Sequence, residues 1–138
     1  MLRLLRLDGL AAGQDLVLLV LRLLTGSFLV WAMWPNVSSA ETMAVVVGVF
    51  RDMGFVYPEV FAPLSAWAQF LIGIALILGL LTRLVGLALA FNFVVGLYMA
   101  HMADSFRGQW PAWALLGFGL LFAAFGAGRF SLDRLWTR

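Results

Sequence analysis

The sequence predicts an all-α fold, an integral membrane four-helix bundle with a short interfacial helix between helices 1 and 2. Hydrophobic residues make up 64% of the 138 residues and charged residues only 12%, with a mean hydropathy of +1.00. Soluble domains are about 45–50% apolar and about 25% charged. Four apolar runs are each long enough to cross about 30 Å of hydrocarbon at about 1.5 Å per residue. We treat residues 1–138 as a single transmembrane domain.

The four predicted spans follow the apolar runs and cover residues 16–34, 60–81, 84–103 and 111–128. Four spans place both termini on the same side of the membrane. The arginines concentrate on that side, where Arg3, Arg6, Arg83, Arg129, Arg134 and Arg138 stand against Arg51 and Arg107 on the other. By the positive-inside rule, both termini are predicted to be cytoplasmic.

The long connection between the first two spans contains a helical signal of its own. Pro35 is predicted to end the first span, and Ser38-Ser39-Ala40-Glu41 has the spacing of a capping box before an apolar run. We therefore predict a short helix that lies on or dips into the outer leaflet. It would act either as a lid over a pocket or as a packing element.

The composition excludes several classes of function. The nine basic residues are all arginines and are nearly balanced by seven acids, so the chain has no basic face for nucleic acid. Cysteine is absent, which removes disulfides, thiolate nucleophiles, iron–sulfur clusters and cysteine zinc sites. A single histidine, His101, cannot supply bis-histidine haem ligation. No metal and no covalently bound cofactor is predicted, and redox chemistry would need a borrowed cofactor such as a quinone.

Three polar residues lie well inside the predicted spans. Arg22, Gln69 and Asn92 sit roughly 9, 18 and 12 Å deep from the cytoplasmic ends, at about 1.5 Å per residue, and we expect them to meet in the bundle interior. Each has a glycine four residues later on the same helical face, which permits close helix contact. These glycines are Gly26, Gly73 and Gly96. Gln69 and Asn92 would either bind a ligand or join helices through hydrogen bonds.

Arg22 is the residue for which a binding role is favoured. A charge at that depth costs at least about 2.5–3.5 kcal/mol, so it should face partners or water rather than lipid. No carboxylate lies at the same depth in the sequence. Its counter-charge is expected from Asp8, Asp15 or Asp133, or from a ligand or lipid headgroup, and an anion or a quinone carbonyl would suit it.

Aromatic residues and His101 mark the predicted outer ends of the helices. Trp31 and Trp34, with Trp67, would form part of an interfacial belt or wall a pocket for a flat aromatic ligand. His101 is the candidate catalytic residue, because a histidine at the membrane edge can donate and accept protons for quinone chemistry near neutral pH. The alternative is a hydrogen-bonded interfacial histidine.

Several motifs resemble those of the DoxX family over nearly the whole chain. They are Arg-Leu-Leu-Thr-Gly at residues 22–26, Gly-Leu-Leu-Thr-Arg at 79–83, the histidine that closes the third span, and Gly-Ala-Gly-Arg-Phe-Ser-Leu-Asp at 126–133. The resemblance implies a four-helix protein of the bacterial inner membrane. It also implies an association with respiratory redox chemistry, since some members are linked to thiosulfate:quinone oxidoreductase or terminal oxidase complexes.

The chain departs from that family pattern at two places. Many relatives place His-Gly and then a lysine near the outer end of the first helix, where this chain reads Val30-Trp31-Ala32-Met33-Trp34-Pro35-Asn36. Many also carry a glutamate in the second helix, where this chain has Gln69. The loss of these ionisable groups favours a binding or accessory subunit over an autonomous enzyme.

These observations leave three hypotheses about function. The first is a non-catalytic accessory subunit that contacts lipid and docks beside a larger membrane oxidoreductase, shaping a quinone or lipid site. Its docking surface would be the small residues of the fourth span, including Gly117, Gly119, Ala123 and Gly126. The second is an autonomous quinone-interacting oxidoreductase. The third is a small-solute or proton transporter, although no internal repeat is visible in the sequence.

Overall fold

The computed structural model describes residues 12–136, and within this range the chain is helical without strands. Arg3, Arg6, Asp8 and Arg138 lie outside the described residues. The helices are α1 (Gln14–Ser38), α2 (Ala40–Asp52), α3 (Pro58–Leu78), α4 (Thr82–Gly96), α5 (Phe106–Phe125) and α6 (Asp133–Trp136). A π-helical turn, Leu97–His101, continues α4.

Four helical segments of the described chain are long and apolar enough to cross a membrane, which makes this a multi-pass membrane protein. They are Gln14–Ser38, Pro58–Leu78, Thr82–His101 and Phe106–Phe125. The predicted four-helix class is confirmed. The first helix extends beyond the predicted span, which ended at residue 34, because α1 continues through Pro35 to Ser38. Proline removes one backbone hydrogen bond, and neighbouring groups in membrane proteins tolerate this loss.

The predicted short helix is present as α2. Its N-cap is Ser39, whose hydroxyl oxygen accepts a hydrogen bond from the Thr42 backbone N–H at 3.4 Å, so the cap lies one residue after Ser38, the first residue of the predicted box. Phe55, just after α2, contacts Phe50 in α2 and Phe61 in α3, with ring centroids 4.6 and 6.4 Å apart. These ring contacts pack α2 against the start of α3.

Two antiparallel helix pairs form the bundle, and each pair crosses at two glycines. In α1–α3, a Cβ atom built on Gly26 would lie 2.6 Å from the Gly73 carbonyl oxygen. In α4–α5, a Cβ built on Gly86 would lie 2.6 Å from the Gly119 carbonyl oxygen. Glycine permits this backbone approach because it has no side chain. The predicted close contacts at Gly26 and Gly73 are confirmed, whereas a Cβ on Gly96 would have no neighbour within 4 Å.

Helices pack more extensively within each pair than between the pairs. One buried cluster nevertheless draws on all four long helices and forms the centre of the bundle. Its members are Leu29, Ile72, Leu76, Leu89 and Phe122.

The predicted docking surface on the fourth span is wrong for most of its residues. Gly119 packs against the α4 backbone, and a Cβ on Gly86 would lie 2.6 Å from the Ala123 backbone nitrogen. A Cβ on Gly126 would lie 3.3 Å from Arg83 Nε. Of the three glycines in this surface, only Gly117 faces open space. Gly119, Ala123 and Gly126 therefore serve contacts inside the chain.

Candidate functional site

A lipid-facing groove of about 370 Å³ runs along α1 on its α3 side. Trp31 and Trp34 both line it, and these side chains are 75% and 59% exposed. The Trp34 ring also contacts Phe70 of α3, with centroids 6.1 Å apart. The complete lining is Ser27, Val30, Trp31, Trp34, Pro35 and Ile77. Two indole rings and one hydroxyl group therefore line an open, mostly apolar groove, which we call the indole groove.

A polar bridge joins the two helix pairs. The Ser65 hydroxyl oxygen accepts hydrogen bonds from Gln69 Nε2 and from Asn92 Nδ2, both at 3.2 Å. Ser65 and Gln69 share one face of α3, whereas Asn92 lies on α4. The bridge therefore holds together two helices from different pairs. Sequence reasoning missed Ser65, although its position four residues before Gln69 placed it on the same helical face.

Arg22 occupies a different place, beside the C-terminal segment. Its side chain is fully buried, and its Nη2 donates a hydrogen bond of 2.5 Å to the Phe130 carbonyl oxygen. A Cβ at Gly79, which has φ +66°, would clash with Nη1. Neither Nε nor Nη1 has a hydrogen-bond partner among the described residues. The Asp133 carboxylate attracts the guanidinium, so one of the predicted counter-charges is in place.

Asp133 also binds the chain between α3 and α4. Its Oδ1 and Oδ2 accept hydrogen bonds from the backbone N–H groups of Leu81 and Thr82 at 2.5 and 2.8 Å. Its own N–H donates to the Gly79 carbonyl oxygen at 2.9 Å. Leu81 has φ +49°, a conformation that is uncommon for a residue with a side chain. The two carboxylate bonds stabilise this turn.

Residues 126–136 meet α1, α3 and α4 at one end of the bundle, which we call the tail end. Two further contacts stabilise this end. Asp15 Oδ1 accepts a hydrogen bond from the Arg129 backbone N–H at 3.0 Å. Arg83 Nη1 donates to the carbonyl oxygens of Ala123 and Ala124 at 3.3 and 3.0 Å. These carbonyls end α5, where a cation is favoured.

His101 lies at the opposite end of the bundle, in the turn between α4 and α5. Its Nδ1 is 2.7 Å from Asp104 Oδ2, and the two side chains are 37% and 47% exposed. Gln109 Nε2 donates to the carbonyl oxygens of both residues, at 2.9 and 3.0 Å. The π-helical turn that ends at His101 is a feature often found at functional sites. A carboxylate-oriented imidazole of this kind can exchange protons.

The predicted site residues therefore lie at separate places in the structure and do not form a single site. Trp31 and Trp34 share the indole groove, and Gln69 meets Asn92 on Ser65. Arg22 does not join that pair, because it reaches the neighbourhood of Gly79, ten residues after Gln69 and about 15 Å further along α3. The roles of these residues in ligand binding, and that of His101 in catalysis, stay predictions.

Comparison with known protein families identifies the family of this chain. The model of the family described as DoxX matches residues 17–102, which is more than half of the sequence. The chain belongs to the DoxX family. The matched region of this DoxX protein contains Arg22, the Gly-Leu-Leu-Thr-Arg turn and the π-helical turn, whereas the motif at 126–133 follows it. Neither the curated proteins nor the solved structures give a significant match.

Proposed function

We propose that this DoxX protein is a small subunit of a larger membrane oxidoreductase complex and that it holds a quinone head group in the indole groove. The observation that carries the proposal is that Trp31 and Trp34 line one groove that is open to the bilayer. The resemblance of the sequence motifs to those of respiratory DoxX proteins supports the redox assignment.

The chemistry of the groove suits a quinone. A flat ring can stack on either indole, which is favourable by about 0.5–1.5 kcal/mol beyond simple burial. The Ser27 hydroxyl can donate a hydrogen bond to a quinone carbonyl. The volume of about 370 Å³ lies within the range of about 300–1,000 Å³ that is typical of small-molecule sites. An isoprenoid tail can leave through the open side into lipid.

The lining favours a binding role over a catalytic one. Ser, Val, Trp, Pro and Ile side chains supply stacking and one hydroxyl, and none of them titrates near neutral pH. The groove can therefore hold and orient a quinone, while proton and electron transfer would come from the larger partner. The lipid-facing position of the groove also allows a quinone to pass laterally to that partner.

Two matched variants test the groove. Trp34 and Trp110 are both 59% exposed, but only Trp34 lines the groove. We expect Trp34→Leu to weaken binding of a short-chain benzoquinone by about threefold to tenfold, and Trp110→Leu to leave it unchanged. Equal effects of the two substitutions, or no saturable binding to the wild-type protein, would refute the quinone site.

The partnership needs a separate measurement. The protein would be isolated from its native membrane in a mild detergent, and mass spectrometry of the intact particle would identify every protein and small molecule that accompanies it. Co-isolation with a redox enzyme supports the subunit role. A homo-oligomer that carries quinone without another protein would contradict it.

The His101–Asp104 pair favours a second candidate, an autonomous quinone oxidoreductase. An imidazole oriented by a carboxylate at 2.7 Å is a suitable group for moving quinone protons. In that case Asp104→Asn and His101→Gln would both abolish quinone-dependent electron transfer by the isolated chain with a supplied donor. If the isolated protein showed no such activity, the result would contradict the autonomous oxidoreductase and favour the accessory role.

A further inference from the structure

A second groove, of about 480 Å³, lies at the tail end and differs in character from the indole groove. Two arginines line it, Arg129 and Arg134, with Phe130, Ser131 and Leu135 between and beside them. The groove therefore combines positive charge with apolar surface. We call it the tail groove.

The backbone that forms the tail groove is held from several sides. Arg22 binds the Phe130 carbonyl oxygen from within the bundle, and Asp15 binds the Arg129 N–H. Ser131 Oγ donates to the Gly128 carbonyl oxygen at 2.9 Å. Because these contacts fix the segment before any ligand arrives, binding would lose little conformational entropy.

The location of the tail groove matches the headgroup layer of a membrane. The Leu132 backbone N–H donates to the carbonyl oxygen of Leu78, the last residue of the membrane-crossing α3, at 3.3 Å. The neighbouring side chains of Phe130, Leu135 and Trp136 are 56%, 65% and 76% exposed. Large apolar groups at this level are suited to contact acyl chains, and in a bilayer the arginines would lie beside the layer of phosphates.

The chemistry of the two arginines selects an anionic group with several oxygens. A guanidinium matches phosphate with paired N–H donors. The Arg129 side chain is 70% exposed, and its Nε forms an ion pair with Asp15 Oδ2 at 3.8 Å, a distance longer than a hydrogen bond. We propose that the tail groove binds the phosphate of an anionic phospholipid, whose acyl chains lie along Phe130, Leu135 and Trp136. This site is independent of the proposed quinone site.

The test compares two double variants that remove equal charge. Arg129→Gln with Arg134→Gln alters the tail groove, whereas Arg51→Gln with Arg107→Gln removes two exposed arginines at the opposite end of the bundle. The full chain would be placed in phosphatidylcholine discs with a rising fraction of phosphatidylglycerol, and bound phosphatidylglycerol would be counted by native mass spectrometry. We expect the first variant to lose about 30-fold in apparent affinity and the second to change little.

Additional experiments distinguish binding of a lipid from binding of a free phosphate ion. They also distinguish a variant that binds poorly from one that does not fold. Inorganic phosphate added to wild-type protein should leave bound phosphatidylglycerol unchanged. Displacement by inorganic phosphate, or equal losses in the two double variants, would overturn the proposal. If the glutamine variant fails to fold, Arg129→Lys with Arg134→Lys keeps the charge, and salt titration of the wild type provides a second measurement. Phosphatidylglycerol binding that does not weaken with salt would contradict the arginine–phosphate contact.

Discussion

Replacing Gly73 by alanine should destabilise the α1–α3 pair, whereas the same change at Gly117 should not. Both glycines lie inside membrane-crossing helices. A Cβ on Gly73 would lie 2.8 Å from the Gly26 carbonyl oxygen, 3.0 Å from Leu29 Cβ and 3.0 Å from Val30 Cγ2. A Cβ on Gly117 would have no neighbour within 4 Å. The comparison therefore isolates the crowding at the helix crossing.

The magnitude follows from these distances. Ordinary carbon contacts lie at about 3.5–4.0 Å, so the new methyl group requires the helices to separate by about half an ångström or more. The nearest atom is a backbone oxygen, which cannot rotate away. Overpacking of this kind costs about 1–3 kcal/mol, partly offset by the gain of about 0.5–1 kcal/mol that alanine brings to a helix interior. Only the gain applies at Gly117.

Unfolding of both variants can be followed by tryptophan fluorescence during titration with SDS in mixed micelles. We expect the free energy of unfolding to fall by about 1–2 kcal/mol for Gly73→Ala and to stay equal or rise slightly for Gly117→Ala. If Gly73→Ala proved as stable as Gly117→Ala, the helices would not cross at the glycines as described.

Three other substitutions test the contacts around the polar groups. Gly79→Ala and Gly54→Ala share the strain of a positive φ, with angles of 66° and 85°, but only the former clashes with Arg22, so it should show the lower melting temperature; equal melting temperatures would contradict the packing of Arg22 there. Ser65→Ala should cost about 1 kcal/mol or less in the SDS titration, because it removes one acceptor shared by two amides; a loss of several kcal/mol would mean that the bridge does more than join helices. Asp133→Asn should destabilise by about 1–3 kcal/mol, since it weakens two bonds to a charged acceptor, and an unchanged melting temperature would show that the α3–α4 turn does not need it.

The spans were predictable because hydrophobic length is a property of the sequence alone. The largest discrepancy between a predicted and an observed end is at the fourth span, which begins at Phe106 rather than at residue 111. The end of α1 was not predictable from Pro35. The rule that proline stops a helix reflects the cost of a lost hydrogen bond, and the surroundings of a membrane helix can lower that cost.

The candidate site was predictable in its residue types but not in its grouping. Depth along a helix correctly marked Arg22, Gln69 and Asn92 as polar residues within apolar runs. The depth of a residue along its helix does not show which distant segments of the chain fold back against it. The hydrogen-bond partner of Arg22 is 108 residues away in sequence. Asp133 was among the expected counter-charges, whereas the Phe130 carbonyl could not be found without the fold of the C-terminal segment.

The distance along the chain between Arg22 and Phe130 has a consequence for the order of biosynthesis. In synthesis from the N-terminus, the helix that carries the arginine is made 108 residues before the carbonyl that binds it. Until Phe130 is made, the inserted helix therefore holds a cation without this partner, a costly state in lipid. A chain that stops short of residue 130 would keep the Arg22 charge without the Phe130 carbonyl, so residues far from α1 in the sequence determine how its buried cation is accommodated.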